Sequence, residues 1–378
     1  MMKKLLLKGF EVELFTGSSS GEHVGVASLA ADDLQGFVKE PDQRNLEFVT
    51  SPEKKYSNLR FALLEPRRNL RNWLAMKKLT ILPGSTLSLG CSKNFERSDI
   101  KNEYHELIEK NYGTDVVTTS VHINFGIENL SNLFSALRLV KCESALFLAL
   151  SASSPFLDGK PTGVHSQRWI QFPRTPKEVP IFKDHSHYVK WVEEKLAEGV
   201  MWNERHFWTS VRPNGPHRPY ELNRLEVRVC DLITDCDLLL AVTALLELRI
   251  ISLINNPKQL DPLLASKLTL NELAILSDLN DIEAAKTSVN STLSHWVDGS
   301  VISCKEWIYQ ILESVEPLAK EMGLKEILEP INDVLLNGNQ SIKWLRGYAE
   351  GRTIQSLLEE SVNFMEQEEI LSSSNSYI

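Results

Sequence analysis

Residues 9–14 read Gly9-Phe10-Glu11-Val12-Glu13-Leu14, an alternation of apolar and acidic side chains. Successive side chains of a strand point to opposite faces, so Phe10, Val12 and Leu14 share one face and the two carboxylates share the other. Val121-His122-Ile123-Asn124-Phe125-Gly126 and Leu225-Glu226-Val227-Arg228-Val229 repeat the arrangement, with polar His122 and Asn124 in one and Glu226 and Arg228 in the other. Strands with a single apolar face belong to antiparallel sheets, because strands of a doubly covered parallel sheet read as continuous apolar runs. The alternation extends over 5–15, 80–89, 118–127, 206–212 and 224–231, and a short strand is predicted at 46–50.

Helical periodicity separates these segments at 54–78, 98–112, 128–153 and 183–199. From Asp235 the chain turns almost wholly helical, over 236–255, 270–287, 304–322, 324–336 and 340–371. No linker divides the halves. The pattern predicts the α+β class, with helices covering one face of an antiparallel sheet. It predicts a single unit over 1–371, sheet-rich and site-bearing over 1–234 and helical over 235–371, followed by a flexible tail at 372–378.

Composition narrows the function. The 378 residues are 42% hydrophobic and 24% charged, which excludes disorder over most of the chain. A net charge of −9 gives no bulk attraction to phosphate backbones or anionic bilayers, so no nucleic-acid partner is expected. The longest apolar stretch, 238–254, contains Glu247 and Arg249, and no membrane partner is expected either. The apolar run near the N-terminus stops at Lys8, short of a secretory leader. Five cysteines without a C-x-x-C encode neither a disulfide framework nor a zinc cluster, and a reducing cytoplasm is the expected location.

The three strands place E-x-E, H-x-N and E-x-R on their non-core faces. A half-exposed sheet always carries polar residues on its wet face, but Thr, Lys and Ser usually fill it. Carboxylates on adjacent same-face positions repel, and a cation between them removes the cost. Hard oxygen donors with one imidazole suit magnesium or manganese and argue against zinc. Arg228 offers a planar fork for a phosphate or carboxylate. Glu40 and Glu47 in Glu40-Pro41-Asp42-Gln43-Arg44-Asn45-Leu46-Glu47 add two carboxylates. Together Glu11, Glu13, Glu40, Glu47, His122 and Glu226 supply ligands for two or three divalent ions, a number that goes with phosphoryl transfer from a nucleotide.

Familiar nucleotide motifs are missing. Gly159-Lys160-Pro161-Thr162 has a proline inside the would-be G-K-[ST] and Ser154 where the first glycine belongs, so there is no P-loop, and no G-x-G-x-x-G occurs. Gly17-Ser18-Ser19-Ser20-Gly21 matches G-x-S-x-G literally, yet a nucleophile elbow needs a parallel sheet. His185-Ser186-His187 opens a helix after Asp184 and reads as a capped, exposed turn, and Cys230 and Cys236 read as buried thiols. The loop 212–224 (RPNGPHRPYELNR) joins two strands; its three prolines and three arginines fit a surface connection or a ligand clamp.

Taken in order, GFEVELF, KEPDQRNLEFVTSP, LPGSTLSLG, TTSVHINFG, SASSPFLDGKPTGVHSQR, FWTSVRP and LEVRVCD resemble the glutamate-cysteine ligase family of carboxylate-amine ligases, especially its cyanobacterial-type branch. The resemblance runs from Gly9 to about Ile250. It implies a glutamine synthetase-like catalytic domain whose antiparallel sheet curves into a funnel, with ATP entering one end and amino acids the other. It implies that Glu11, Glu13, Glu40, Glu47, His122 and Glu226 are magnesium ligands, two or three ions in all, and that Arg228 steadies the transferring phosphoryl group. Arg168 in Ser166-Gln167-Arg168 is implied as a further phosphate or substrate contact, and Arg212 as a contact to a substrate carboxylate. Many bacterial relatives carry a second histidine two residues after the first; here that position is Asn124, at the nucleotide site, and the difference bears on amine specificity. The implied substrates are L-glutamate, L-cysteine and ATP, giving γ-glutamylcysteine, the first step of glutathione synthesis. Another amine acceptor on the same fold and a non-catalytic metal-binding scaffold are the alternatives. Oligomeric state is not encoded.

Overall fold

The computed structural model describes residues 4–374, with side chains through Leu371. Its centre is a mixed-length antiparallel sheet. The strands in chain order are β1 (Lys8–Gly17), β2 (Phe37–Lys39), β3 (Asn45–Val49), β4 (Thr80–Leu82), β5 (Val121–Gly126), β6 (Phe156–Leu157), β7 (Lys160–Pro161), β8 (Val211–Asn214) and β9 (Arg224–Val227), followed by a small pair, β10 (Thr292–Ser294) and β11 (Val301–Ser303). The main sheet runs β2-β3-β1-β5-β9-β8, with β4 pairing the end of β1, and it stays open at both edges; β6 and β7 form a separate hairpin.

The alternation in β1 produces the sheet's two faces. Phe10, Val12 and Leu14 are buried against the helices, together with Ile123, Phe125, Leu225 and Val227 from β5 and β9. Helices Leu130–Ser151 and Cys236–Asn255 pack on that side and are apolar nearly all round, as helices enclosed within a core must be. Asn129 and Asp235 cap them by accepting from the backbone N–H groups of Asn132 and Leu238. The start of β1 is pinned by a buried carboxylate: Glu247 accepts from the Leu6 amide at 2.6 Å, the Tyr56 hydroxyl at 2.6 Å and Lys8 Nζ at 3.1 Å. The last helix, Ile354–Ser374, docks on helix Tyr56–Ala75, where Glu369 meets Arg71 at 2.6 Å and Arg67 at 3.1 Å. The α+β class and the antiparallel sheet are as expected.

Several boundaries differ. The strand expected at 80–89 ends at Leu82, because Pro83 and Gly84 (φ +89°) turn the chain; Thr86 and Ser88 are buried in the turn beyond. The strand expected at 206–212 is Val211–Asn214, with His206 closing a 3₁₀ turn. The helix expected at 340–371 is two, Gln340–Ala349 and Ile354–Ser374, separated where Gly351 takes φ +93°. That second helix carries the expected loose tail through Ser374, and 375–378 lie outside the described residues. No helix among the described residues is long and apolar enough to cross a membrane.

Candidate functional site

Strand register brings the polar residues of five strands, β3, β1, β5, β9 and β8, onto one face. Glu11 lies opposite His122, Glu13 opposite Glu47, Asn124 opposite Glu226, and Glu226 opposite Arg212. Cross-strand neighbours stand about 5 Å apart at Cβ, so these pairs must interact. His122 Nδ1 is 3.0 Å from Glu11 Oε2, and Asn124 Nδ2 donates to Glu11 Oε1 at 3.2 Å. Ser120, two residues before His122 and therefore on the same face, donates to Glu13 at 2.9 Å and lies 3.0 Å from His122 Nε2. The same parity argument, carried two residues upstream, finds Ser120 from sequence.

The carboxylates converge in two groups. Glu11, Glu47 and His122 each bring a donor atom within 4.8 Å of the others, and so do Glu13, Glu40 and Glu47, so Glu47 is common to both. Glu40 reaches the cluster from the segment just after β2. Burial, then the charge of Glu13, raises the Glu40 carboxyl to about 8. Burial, then Glu40, Glu13 and Glu11, raises Glu47 to about 10. Burial and Glu226 oppose ionisation of Glu11, but the hydrogen bond from His122 and the charge of Arg228 hold it below the usual carboxylate range. The ligand set is four carboxylates and one imidazole, hard oxygen donors that fit magnesium or manganese and lack the sulfur or second histidine zinc would recruit.

Glu226 differs from its expected setting. It lies on the polar face as its parity requires, yet it is wholly buried beneath three donors. Arg212 holds it with two hydrogen bonds of 2.7 and 3.0 Å, Asn214 Nδ2 donates at 2.6 Å, and Arg228 Nη1 donates at 2.6 Å. Burial works against its charge, but Arg212 and Arg228 outweigh burial and hold it well below the ordinary range. Its Oε1 stands 3.8 Å from His122, outside both carboxylate groups. Arg212, expected at a substrate carboxylate, instead binds Glu226 and donates to the carbonyls of Phe207 and Arg205. Arg168, expected at a phosphate or substrate, is buried and donates to the backbone carbonyls of Arg228 at 2.9 Å and Val229 at 3.2 Å. It also lies 3.7 Å from Asp231, whose carboxylate accepts from Ser154, Ser166 and the Ser153 amide. Sequence carried no signal for this hub, since its members come from three separate segments, 153–154, 166–168 and 228–231.

A cavity of about 670 Å³ opens beside Glu11 and Asn124 at the end of the sheet where β1 begins. Leu7, Ile127 and Ile254 give it apolar walls, and Lys54, Thr50 and Arg224 stand at its polar side. Apolar walls with a few placed polar groups are the usual make-up of a small-molecule site.

The architecture is that of a ligase fold. A solved glutamate–cysteine ligase from Francisella tularensis in complex with AMP superposes with a TM-score of 0.76 at 14% identity, over 98% of this chain and 90% of that one. A bifunctional glutathione synthetase from Pasteurella multocida gives a TM-score of 0.73 at 15% identity, over 96% of this chain and 53% of that one. The chain belongs to glutamate-cysteine ligase family 2, whose sequence model matches residues 7–368. A relative from Legionella pneumophila named "Putative glutamate--cysteine ligase 2-1" is 26% identical, covering 95% of each chain. One from Sorangium cellulosum, "Putative glutamate--cysteine ligase 2", is 25% identical over 64% of this chain and 62% of its own length. The protein is therefore a ligase enzyme, and the non-catalytic scaffold is set aside.

Proposed function

We propose that this ligase joins the γ-carboxylate of L-glutamate to the amino group of L-cysteine with ATP, forming γ-glutamylcysteine, the first step of glutathione synthesis in the cytoplasm. The observation that carries the proposal is the pair of carboxylate groups sharing Glu47, with Arg228 Nη1 3.3 Å from His122 Nδ1 beside them. A carboxylate is a poor acyl donor until a leaving group is attached. Its attack on the γ-phosphorus of ATP gives an acyl phosphate and ADP, and attack by the amine then releases inorganic phosphate. No nucleophile from the protein takes part.

Glu11, Glu13, Glu40, Glu47 and His122 would hold two or three magnesium ions, with manganese able to replace them. When bound, those ions supply positive charge to the phosphate oxygens and orient them. Arg228 presents its fork to the transferring phosphoryl group. Glu226 aims Arg228 from below through the bond to Nη1, so that the rest of the fork faces the phosphoryl group, and with Oε1 3.8 Å from His122 it would serve the metals as the outermost of the six ligands. The cavity beside Glu11 and Asn124 takes the nucleotide, with the adenine against Leu7, Ile127 and Ile254. Arg168 supports the reaction by fixing the backbone of Arg228. Residues 1–371 act as one catalytic unit.

The test is ADP release with ATP, magnesium and glutamate against a panel of amines. Cysteine is expected to give the highest kcat/KM. Equal rates with alanine or methylamine would leave the ligase chemistry standing and overturn the choice of cysteine.

A further inference from the structure

The loop from Gly215 to Asn223 connects β8 to β9 and is firmly built. Asn223 N donates to Asn214 O at 3.0 Å, Glu221 N to His217 O at 2.8 Å, and the Pro219 carbonyl lies 2.9 Å from His185 Nε2. A Cβ on Gly215 would stand 2.0 Å from the Glu221 carbonyl oxygen, so the loop closes tightly on itself. It begins beside Asn214 and ends at Asn223 and Arg224, which line the cavity.

Four arginines stand in or beside this loop, and three have partners. Arg212 and Arg228 bind Glu226, and Arg224 Nε donates to Asn124 Oδ1 at 3.3 Å. Arg218 makes no hydrogen bond and no ion pair among the described residues, and its Nη1 is buried. The charges that act on it are those of Arg212, Glu226 and Arg228, with the Tyr188 hydroxyl. Glu226 cannot serve as its partner, because that carboxylate already accepts four hydrogen bonds, two from Arg212 and one each from Asn214 and Arg228, which fills its acceptor sites. Burial, then the charge of Arg212, pulls the Arg218 pKa down to about 10. A guanidinium held on a rigid loop among other cations, without a counter-ion, is a costly arrangement unless an anion arrives with the ligand.

We propose that Arg218 anchors an oxyanion of a bound substrate, either a phosphate oxygen of the nucleotide or the α-carboxylate of the amino acid. The inference rests on the ligase reading above and adds to it a binding residue that neither the strand pattern nor the resemblance pointed to. If the anion is the carboxylate, Arg218 takes the part expected of Arg212, which already makes four hydrogen bonds to Glu226, Phe207 and Arg205.

The test uses the full chain as Arg218→Met and Arg218→Lys. ADP release is measured with ATP varied at saturating glutamate and with glutamate varied at saturating ATP. Protection against thermal unfolding is measured separately with MgATP alone and with glutamate alone. Losing one charge-assisted contact is expected to raise one of the two KM values about 10- to 100-fold in Arg218→Met, with Lys recovering part of the loss. The same ligand should lose its thermal protection. A change confined to ATP assigns the phosphate, and one confined to glutamate assigns the carboxylate. The ligand-free Met variant should unfold no earlier than the wild type, since it removes an uncompensated charge. The proposal is overturned if both KM values and both protections stay within about twofold of wild type, or if the Met variant is simply less stable and Lys restores nothing. If the wild type releases no ADP with any amine, the ligase reading fails while the protection measurements still decide Arg218.

Discussion

Arg212 and Glu226 face each other across β8 and β9 and close a two-bond pair, Nε to Oε2 at 2.7 Å and Nη2 to Oε1 at 3.0 Å. Neither group reaches solvent to any extent, so each depends on the other for its charge. Glu226→Gln therefore leaves Arg212 and Arg228 facing a neutral amide in the centre of the sheet. Removing one member of a buried pair typically costs about 3–5 kcal/mol, and the retained amide oxygen brings the expected loss here to about 3 kcal/mol. Chemical denaturation of the metal-free variant measures it. A loss below about 1 kcal/mol would mean that the pair contributes no more than an exposed one.

Glu40 and Glu47 make the stability of the metal-free protein depend on pH. Both carboxyls are raised in the fold, to about 8 and about 10. A raised folded pKa means that the stabilising state is the protonated one. Its contribution is whole below the unfolded pKa and is lost as pH rises through the folded value. Stability should thus fall between pH 5 and pH 10, by up to ~1.4 kcal/mol per pH unit for each group while it alone titrates between its two pKa values. Denaturant midpoints at pH 6 and pH 9 check the sign, and Glu47→Gln should flatten the slope by about one group's share.

Magnesium binding follows from the same groups with the opposite demand, because a coordinating carboxylate must be ionised. At pH 7 the metal-free protein carries protons on Glu40 and Glu47 that have to leave. Adding MgCl₂ to a weakly buffered solution should release protons, and the apparent affinity should rise between pH 6 and pH 8. A pH-stat titration reads both. Uptake of protons, or affinity independent of pH, would place the ion elsewhere.

The residues that sequence could bring together are those related by strand parity. Glu11 and Glu13, His122 and Asn124, Glu226 and Arg228 share faces because side chains two apart must, and that rule is local. The enclosure of Glu226 lay beyond it. That depends on β8 pairing with β9 in a register that sets Arg212 opposite Glu226, a fact about two segments fourteen residues apart. Arg168 likewise resembles a ligand contact in its motif, which names the residue and not its direction. The direction is set by helix Gln167–Gln171, capped by Ser166, which turns the guanidinium toward the carbonyls that follow β9. The break between the last two helices needed only Gly351, but helical periodicity on both sides masked it.

Arg228 stands where these relationships meet. Its Nη1 donates to Glu226 at 2.6 Å and lies 3.3 Å from His122 Nδ1, and its carbonyl accepts from Arg168 at 2.9 Å. The head group is thereby aimed from the side chain and from the backbone at once. Arg228→Lys keeps the charge but offers a single ammonium on a flexible stem, which cannot hold Glu226 and a phosphoryl oxygen in one plane. Losing a preorganised donor to developing charge should cost about 2–4 kcal/mol of transition-state stabilisation, roughly 30- to 1000-fold in kcat. KM for the amine should move far less, because the amine attacks after the phosphoryl group has been transferred. Steady-state ADP release with each substrate varied separates the two parameters. A change confined to KM for cysteine would remove Arg228 from the phosphoryl step and place it at the acceptor.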